Sequence, residues 1–165
     1  MQSLPRLLLA GLAVVALGAP VAGQRPDDQI QPKSVQLMHQ AETLMSSGKL
    51  EEAENLLETA LAVDPRNRWA YIDIAKVAEK QRLFGKAVLM TDKALLIEPN
   101  DPDAIAVQGE AMVQMGATAR AQQNLQKLQQ ICAAKGCPQV AQLSAAINRG
   151  PAVASAKAPE SPKKD

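Results

Sequence analysis

Two stretches of this chain say nearly the same thing at a fixed distance. "GKLEEAENLLETALAVDPRN", from Gly48 to Asn67, is answered 34 residues later by "RLFGKAVLMTDKALLIEPND", from Arg82 to Asp101. At that step Ala53 maps onto Ala87 and Ala121, Ala41 onto Ala75 and Gly109, Ala60 onto Ala94, and Pro65 onto Pro99. A unit this short cannot bury its own apolar face, so successive copies must stack and share one continuous core. Helical periodicity, interrupted by Gly, Pro or short polar breaks, runs from Ser34 to about Asn148. Composition points the same way. The chain is 47% hydrophobic, yet its aromatics are limited to Trp69, Tyr71 and Phe84, so the core must be built from Ala, Leu, Val, Ile and Met, the residues of packed helices.

A period of 34 with small residues at fixed offsets resembles the tetratricopeptide repeat, a pair of antiparallel helices stacked on the next pair. The signature positions are held by Leu37, Ala41, Leu44, Gly48, Ala53, Leu57, Ala60 and Pro65 in the first repeat. The second holds Tyr71, Ile74, Ala75, Ala78, Ala87, Ala94 and Pro99, and the third Ile105, Gly109, Met112, Gly116, Ala121 and Leu125. The resemblance implies an all-α fold, a helical-hairpin solenoid of three repeats (34–67, 68–101 and 102–135) closed by a capping helix at 138–148. Ala41, Ala75 and Gly109 would face Ala53, Ala87 and Ala121 where two helix backbones approach closely. Gly48 and Gly116 would supply the left-handed residue that ends a first helix; Arg82 stands at the equivalent place and predicts a slightly different or more strained turn. Asp101 and Pro102 read as an N-cap and the first helical residue. After Leu125 the pattern breaks, with Leu128 in place of the small residue and Cys132–Ala133 in place of Asp-Pro. The stripe of Val140, Leu143 and Ile147 after Pro138 then predicts a last helix that covers the end of the stack.

The flanks differ from this core. Residues 1–23 carry one positive charge, an apolar run "LLLAGLAVVALGA" and the small residues "VAG", the pattern of a secretory signal peptide cut after Gly23. The run falls short of the roughly 20 residues that span a bilayer, so no stable membrane insertion is expected after cleavage, and a periplasmic or secreted location follows. Residues 24–33 read as a polar linker, and 149–165, rich in Ala, Pro, Lys and Ser, as a disordered tail. Cleavage would remove only Arg6 from 18 basic residues and none of 17 acidic ones, leaving a neutral chain without the basic stripe that nucleic acid requires.

Chemistry is sparse. The chain holds one histidine, His39, placed on the outward side of its helix, and neither phosphate-binding nor nucleophile-elbow motifs. The run Glu51–Glu54 opens a helix, where acids favour the dipole. The reading is therefore a non-enzyme with no metal and no cofactor. Cys132 and Cys137 flank a helix junction and, in an exported chain, form a disulfide staple; a redox-active pair is the alternative.

What remains is the groove that first helices line in this family. The matching positions are Val35, Met38, Glu42, Met45 and Ser46; Trp69, Ile72, Lys76, Glu79 and Lys80; and Asp103, Ala106, Glu110, Val113 and Gln114. Trp69 is either an anchor for a ligand or a filler at a repeat junction. With Lys76 and Lys80 along the same face, the expected ligand carries an apolar anchor followed by acidic groups. Relatives that clamp a chaperone's terminal carboxylate use Lys, Arg and Asn, where this chain has Met38, Glu42, Asp73, Asp103 and Val107, so that clamp is missing. The resemblance thus implies a protein or peptide partner held in the groove, within a cell-envelope assembly. Two alternatives stand beside it: a structural subunit that oligomerises through its convex face or its cap end with an empty groove, and a thiol–disulfide protein.

Overall fold

A computed structural model describes residues 29–133 and 136–152. The proposed signal peptide, most of the linker and the tail from residue 153 lie outside the described residues. Among those described there are seven helices and no strand: α1 (Pro32–Ser46), α2 (Leu50–Val63), α3 (Arg68–Lys80), α4 (Phe84–Ile97), α5 (Pro102–Gln114), α6 (Thr118–Cys132) and α7 (Pro138–Arg149). They pack as three consecutive hairpins, α1–α2, α3–α4 and α5–α6, with α7 laid against both α5 and α6. The helix α1 begins at Pro32 rather than at Ser34, because proline's fixed φ suits a first turn whose N–H needs no partner.

Small residues set the helix spacing. Ala41, Ala53, Ala75, Ala87 and Ala121 have no exposed surface, as the close packing of paired backbones requires. Each hairpin turns in the same way. Gly48, Arg82 and Gly116 have φ of 78°, 62° and 78°, and the N–H of the next residue reaches back to Leu44, Ala78 and Met112 at 2.9, 2.8 and 2.8 Å. Arg82 holds the left-handed conformation without glycine's freedom, so the strained turn expected from sequence is present.

The junctions between hairpins also repeat. Asn67 and Asp101 cap α3 and α5 by accepting from the N–H of Ala70 and Ala104, at 3.3 and 2.8 Å. At the first junction Asn67 Nδ2 donates to Ser34 Oγ at 2.9 Å, and that hydroxyl donates to the Ala60 carbonyl at 2.7 Å. One repeat on, the same two positions are Arg68 and Asp101, joined as an ion pair. Buried Asp64 accepts from the Gln31 N–H and from Arg66. The Arg66 guanidinium, against the opposing effect of burial, holds its carboxyl well below the usual range.

The third hairpin departs for a reason visible in α7. Leu128, Leu143, Ile105 and Ala106 form one buried cluster with Cys132, so the larger leucine fills space against the capping helix. Gly109 is small for the same helix, since a Cβ there would lie 2.6 Å from Leu143 Cδ1.

Candidate functional site: the concave cleft

The first helix of each hairpin faces the concave side, so residues at equivalent repeat positions converge there. Together α1, α3 and the start of α5 enclose a cleft of about 430 Å³. Val35, Met38, Trp69 and Ile72 supply its apolar lining; His39, Glu42, Asp73, Lys76 and Asp103 supply the polar part. In repeat register these are positions 35, 69 and 103; 38 and 72; 39 and 73; 42 and 76. Thus one geometric rule, repeated every hairpin, builds the site.

Trp69 stands both at a repeat junction and at the edge of the cleft. Its half-buried ring packs on the core of the first two hairpins and borders the cleft, with the Arg68 guanidinium 4.1 Å above its centroid. Met38 and Ile72 form a floor that is nearly closed to solvent. His39 Nδ1 lies 2.8 Å from Glu42 Oε2, and Lys76 Nζ donates to Asp73 Oδ1 at 2.9 Å. Asp103 Oδ1 accepts from Gln139 Nε2 of α7 at 2.6 Å. Burial pushes the Asp73 carboxyl up, Lys76 pulls it down, and the charges of Glu42 and Asp103 push it up further.

Other expected groove residues lie elsewhere. Ala106 and Val113 are buried in clusters with Leu143 and Ile147 of α7, so they offer no surface to a ligand. The capping helix occupies the part of the concave face that the third repeat would have presented. Met45 is half-buried against the first core, and Lys80, at the end of α3, is exposed and outside the cleft. Glu110 borders a separate depression of about 300 Å³, with Glu79, Arg82, Phe84, Gln114, Ala146, Arg149 and Ala152. There the Ala152 N–H donates to Gln114 Oε1 at 3.0 Å, drawing the end of α7 onto α5. Burial first, and the Glu110 charge second, push the Glu79 carboxyl up to about 8.

The register of 39 and 73 also lines the cleft, and of the two only Asp73, as a clamp position, was placed near the groove by sequence. His39 is exposed as expected, but at the cleft's edge rather than away from it. The available signal was spacing: His39 precedes Glu42, and Asp73 precedes Lys76, by three residues on one helix face. Tyr71, a signature position of the second repeat, is half-buried and packs against the core cluster of α3, α4 and α5, with Lys93 Nζ 5.7 Å from its ring centroid.

A tetratricopeptide-repeat family model matches residues 44–110, from within α1 to α5. Residues 44–110 are thus a tetratricopeptide-repeat segment. Among curated proteins, the cellulose synthase operon protein C of Pseudomonas fluorescens is 30% identical over 128 residues, covering 77% of this chain but 10% of that protein. The chain therefore spans about a tenth of that relative's length. Among solved structures, the tetratricopeptide-repeat domain of Sgt2 from Aspergillus fumigatus superposes with a TM-score of 0.66 at 20% identity, over 82% of this chain and 89% of that one. The Yersinia enterocolitica type III secretion translocator chaperone SycD does so with 0.65 at 18% identity, over 70% and 88%. The first repeat domain of Spaghetti (RPAP3), bound to the HSP90 peptide SRMEEVD, gives 0.61 at 16% identity, over 70% and 94%. At these identities the likeness establishes the all-α tetratricopeptide-repeat fold. Among the described residues of this repeat protein, no helix is long and apolar enough to cross a membrane.

Proposed function

We propose that the chain is an exported protein-interaction module that holds a segment of a partner protein in the concave cleft, within a cell-envelope assembly. The observation that carries this is the cleft itself, a concave space with an apolar floor, a half-buried tryptophan at its edge and charged groups converging above. Solved relatives of the same fold include one bound to a peptide and one named as a chaperone, which supports a partner rather than a substrate. Export rests on the apolar run and small residues of 1–23, and the envelope role on the resemblance to a cellulose synthase operon protein. A photo-crosslinking residue placed at Trp69 in living cells should capture a discrete partner band that the same residue at Glu58, an exposed position of α2 outside the cleft, does not. Equal capture at both positions, or none at Trp69, would remove the cleft from consideration. Recovery of the secreted fraction with Gln24 as its first residue checks export.

One observation favours a second reading, self-association through the convex face. On α4, Leu96 is 84% exposed and Leu89 is 52% exposed, one helical face presented to solvent. Under that reading, Leu89→Glu with Leu96→Glu converts a concentration-dependent oligomer into a monomer by light scattering, and an unchanged mass sinks it.

The cysteine pair belongs to neither reading. Cys132 and Cys137 have Cα atoms 5.5 Å apart with their sulfurs bonded, between α6 and α7, and Cys132 is buried. We propose a structural staple for the capping helix, since the bond joins the end of α6 to the residue that precedes α7.

A further inference from the structure

The cleft's charge selects among peptides, and in the opposite sense from the one the sequence suggested. This inference rests on the cleft being the binding surface. Three carboxylates, Glu42, Asp73 and Asp103, line it against one lysine, Lys76, and that lysine is bonded to Asp73. Lys80, which would have added a second cation, lies outside. An acidic ligand would therefore bring its charge against an acidic excess, at a place where the low exposure of Asp73 weakens solvent screening. Glu42 is exposed, and although His39 occupies one of its oxygens, the other has no hydrogen-bond partner among the described residues. Asp103 likewise keeps a second oxygen beyond its bond to Gln139.

We infer that the cleft takes a peptide segment in which an apolar side chain is followed closely by a lysine or arginine. The apolar group sits on Met38 and Ile72 beside the Trp69 ring, and the cation reaches the carboxylates of Glu42 and Asp103. Charge complementarity of this kind sets which partner is accepted and how quickly it docks, while the apolar contact supplies most of the affinity.

Trp69 is the chain's single tryptophan, so intrinsic emission reads the cleft directly. The probes are two blocked nonapeptides of Gly and Ser, one with a central Leu-Ser-Arg-Lys and one with Leu-Ser-Glu-Glu. The basic peptide should shift Trp69 emission saturably, with an affinity that falls as salt rises. Glu42→Gln combined with Asp103→Asn should weaken it about fivefold or more, the effect of removing two partly exposed charges. Both changes keep the side-chain shape, Asp103→Asn keeps an acceptor for Gln139, and an unchanged circular dichroism spectrum confirms the fold. Tighter binding of the acidic peptide overturns this inference while leaving the cleft reading in place. Equal binding of the basic peptide to wild type and double variant also overturns it. A Trp69 signal that neither peptide moves overturns it too, and the crosslinking at Trp69 described above then decides separately whether the cleft binds anything.

Discussion

At Glu79 a single carboxyl shows how concave packing writes itself into stability. Its pKa is pushed from 4.5 up to about 8, by burial first and by Glu110 second, with Lys76 opposing. A raised native pKa means the folded chain holds a proton that the unfolded chain releases above about pH 4.5. This contribution is therefore complete below 4.5 and is lost as pH rises through about 8. Asp64 works in reverse. Its carboxyl is held low, so the stability it contributes is present above its ordinary 3.8 and is lost in stronger acid. Thermal midpoints should accordingly decline from pH 4.5 toward 8, and Glu79→Gln should flatten that decline. A slope identical to wild type would mean that Glu79 is not the group responsible.

Helices α5 and α7 depend on each other through one missing methyl group. Gly109→Ala places a Cβ within 2.6 Å of Leu143 Cδ1, and because Leu143 is fully buried it cannot swing into solvent. The expected cost is about 1–3 kcal/mol, with amides of α7 exchanging faster. Adding Leu143→Ala to Gly109→Ala should recover part of the close contact, and no recovery would argue that α7 is held by other residues. The turn between α3 and α4 offers the opposite test. Arg82 has φ of 62°. Arg82→Gly should raise stability by about 0.5–1 kcal/mol, because the left-handed strain removed outweighs the extra unfolded-state entropy that glycine brings. A loss instead would show that the arginine side chain contributes more than its backbone costs.

Among the described residues the two ends of the stack are built differently. The cleft lies between α1, α3 and the start of α5, whereas at the far end α7 buries Ala106 and Val113, and the Cys132–Cys137 bond ties α7 to α6. Closing so short a loop is worth about 2 kcal/mol in the chain-entropy account. Oxidised protein should have an intact mass two daltons below the reduced form. Reduction should lower the thermal midpoint and loosen α7 before α1–α4 in hydrogen exchange, because contacts in a solenoid run only between neighbours. Uniform loss of protection along the chain would contradict that order.

Local pattern alone determined the hairpins. Ala41, Ala53, Ala75 and Ala87 recur because every pair of helices meets the same steric limit, and Gly48, Arg82 and Gly116 mark every turn because each needs a left-handed residue. Such constraints act within one repeat and therefore leave a period in the sequence. The site was only half legible for a related reason. Met38, Glu42, Trp69, Ile72 and Lys76 reach the cleft by repeat register as expected, and Asp73 at its clamp position does too, but His39 in the same register sits at the edge of the helix face and read as outward. Whether Ala106 and Val113 faced a ligand or a helix was decided by where α7 docks, a contact between residues far apart in the chain that leaves no periodic trace. The sign of the cleft's charge was decided in the same way: Lys80 points outside while Asp73 and Asp103 converge from different helices, and only their meeting in space makes the surface acidic.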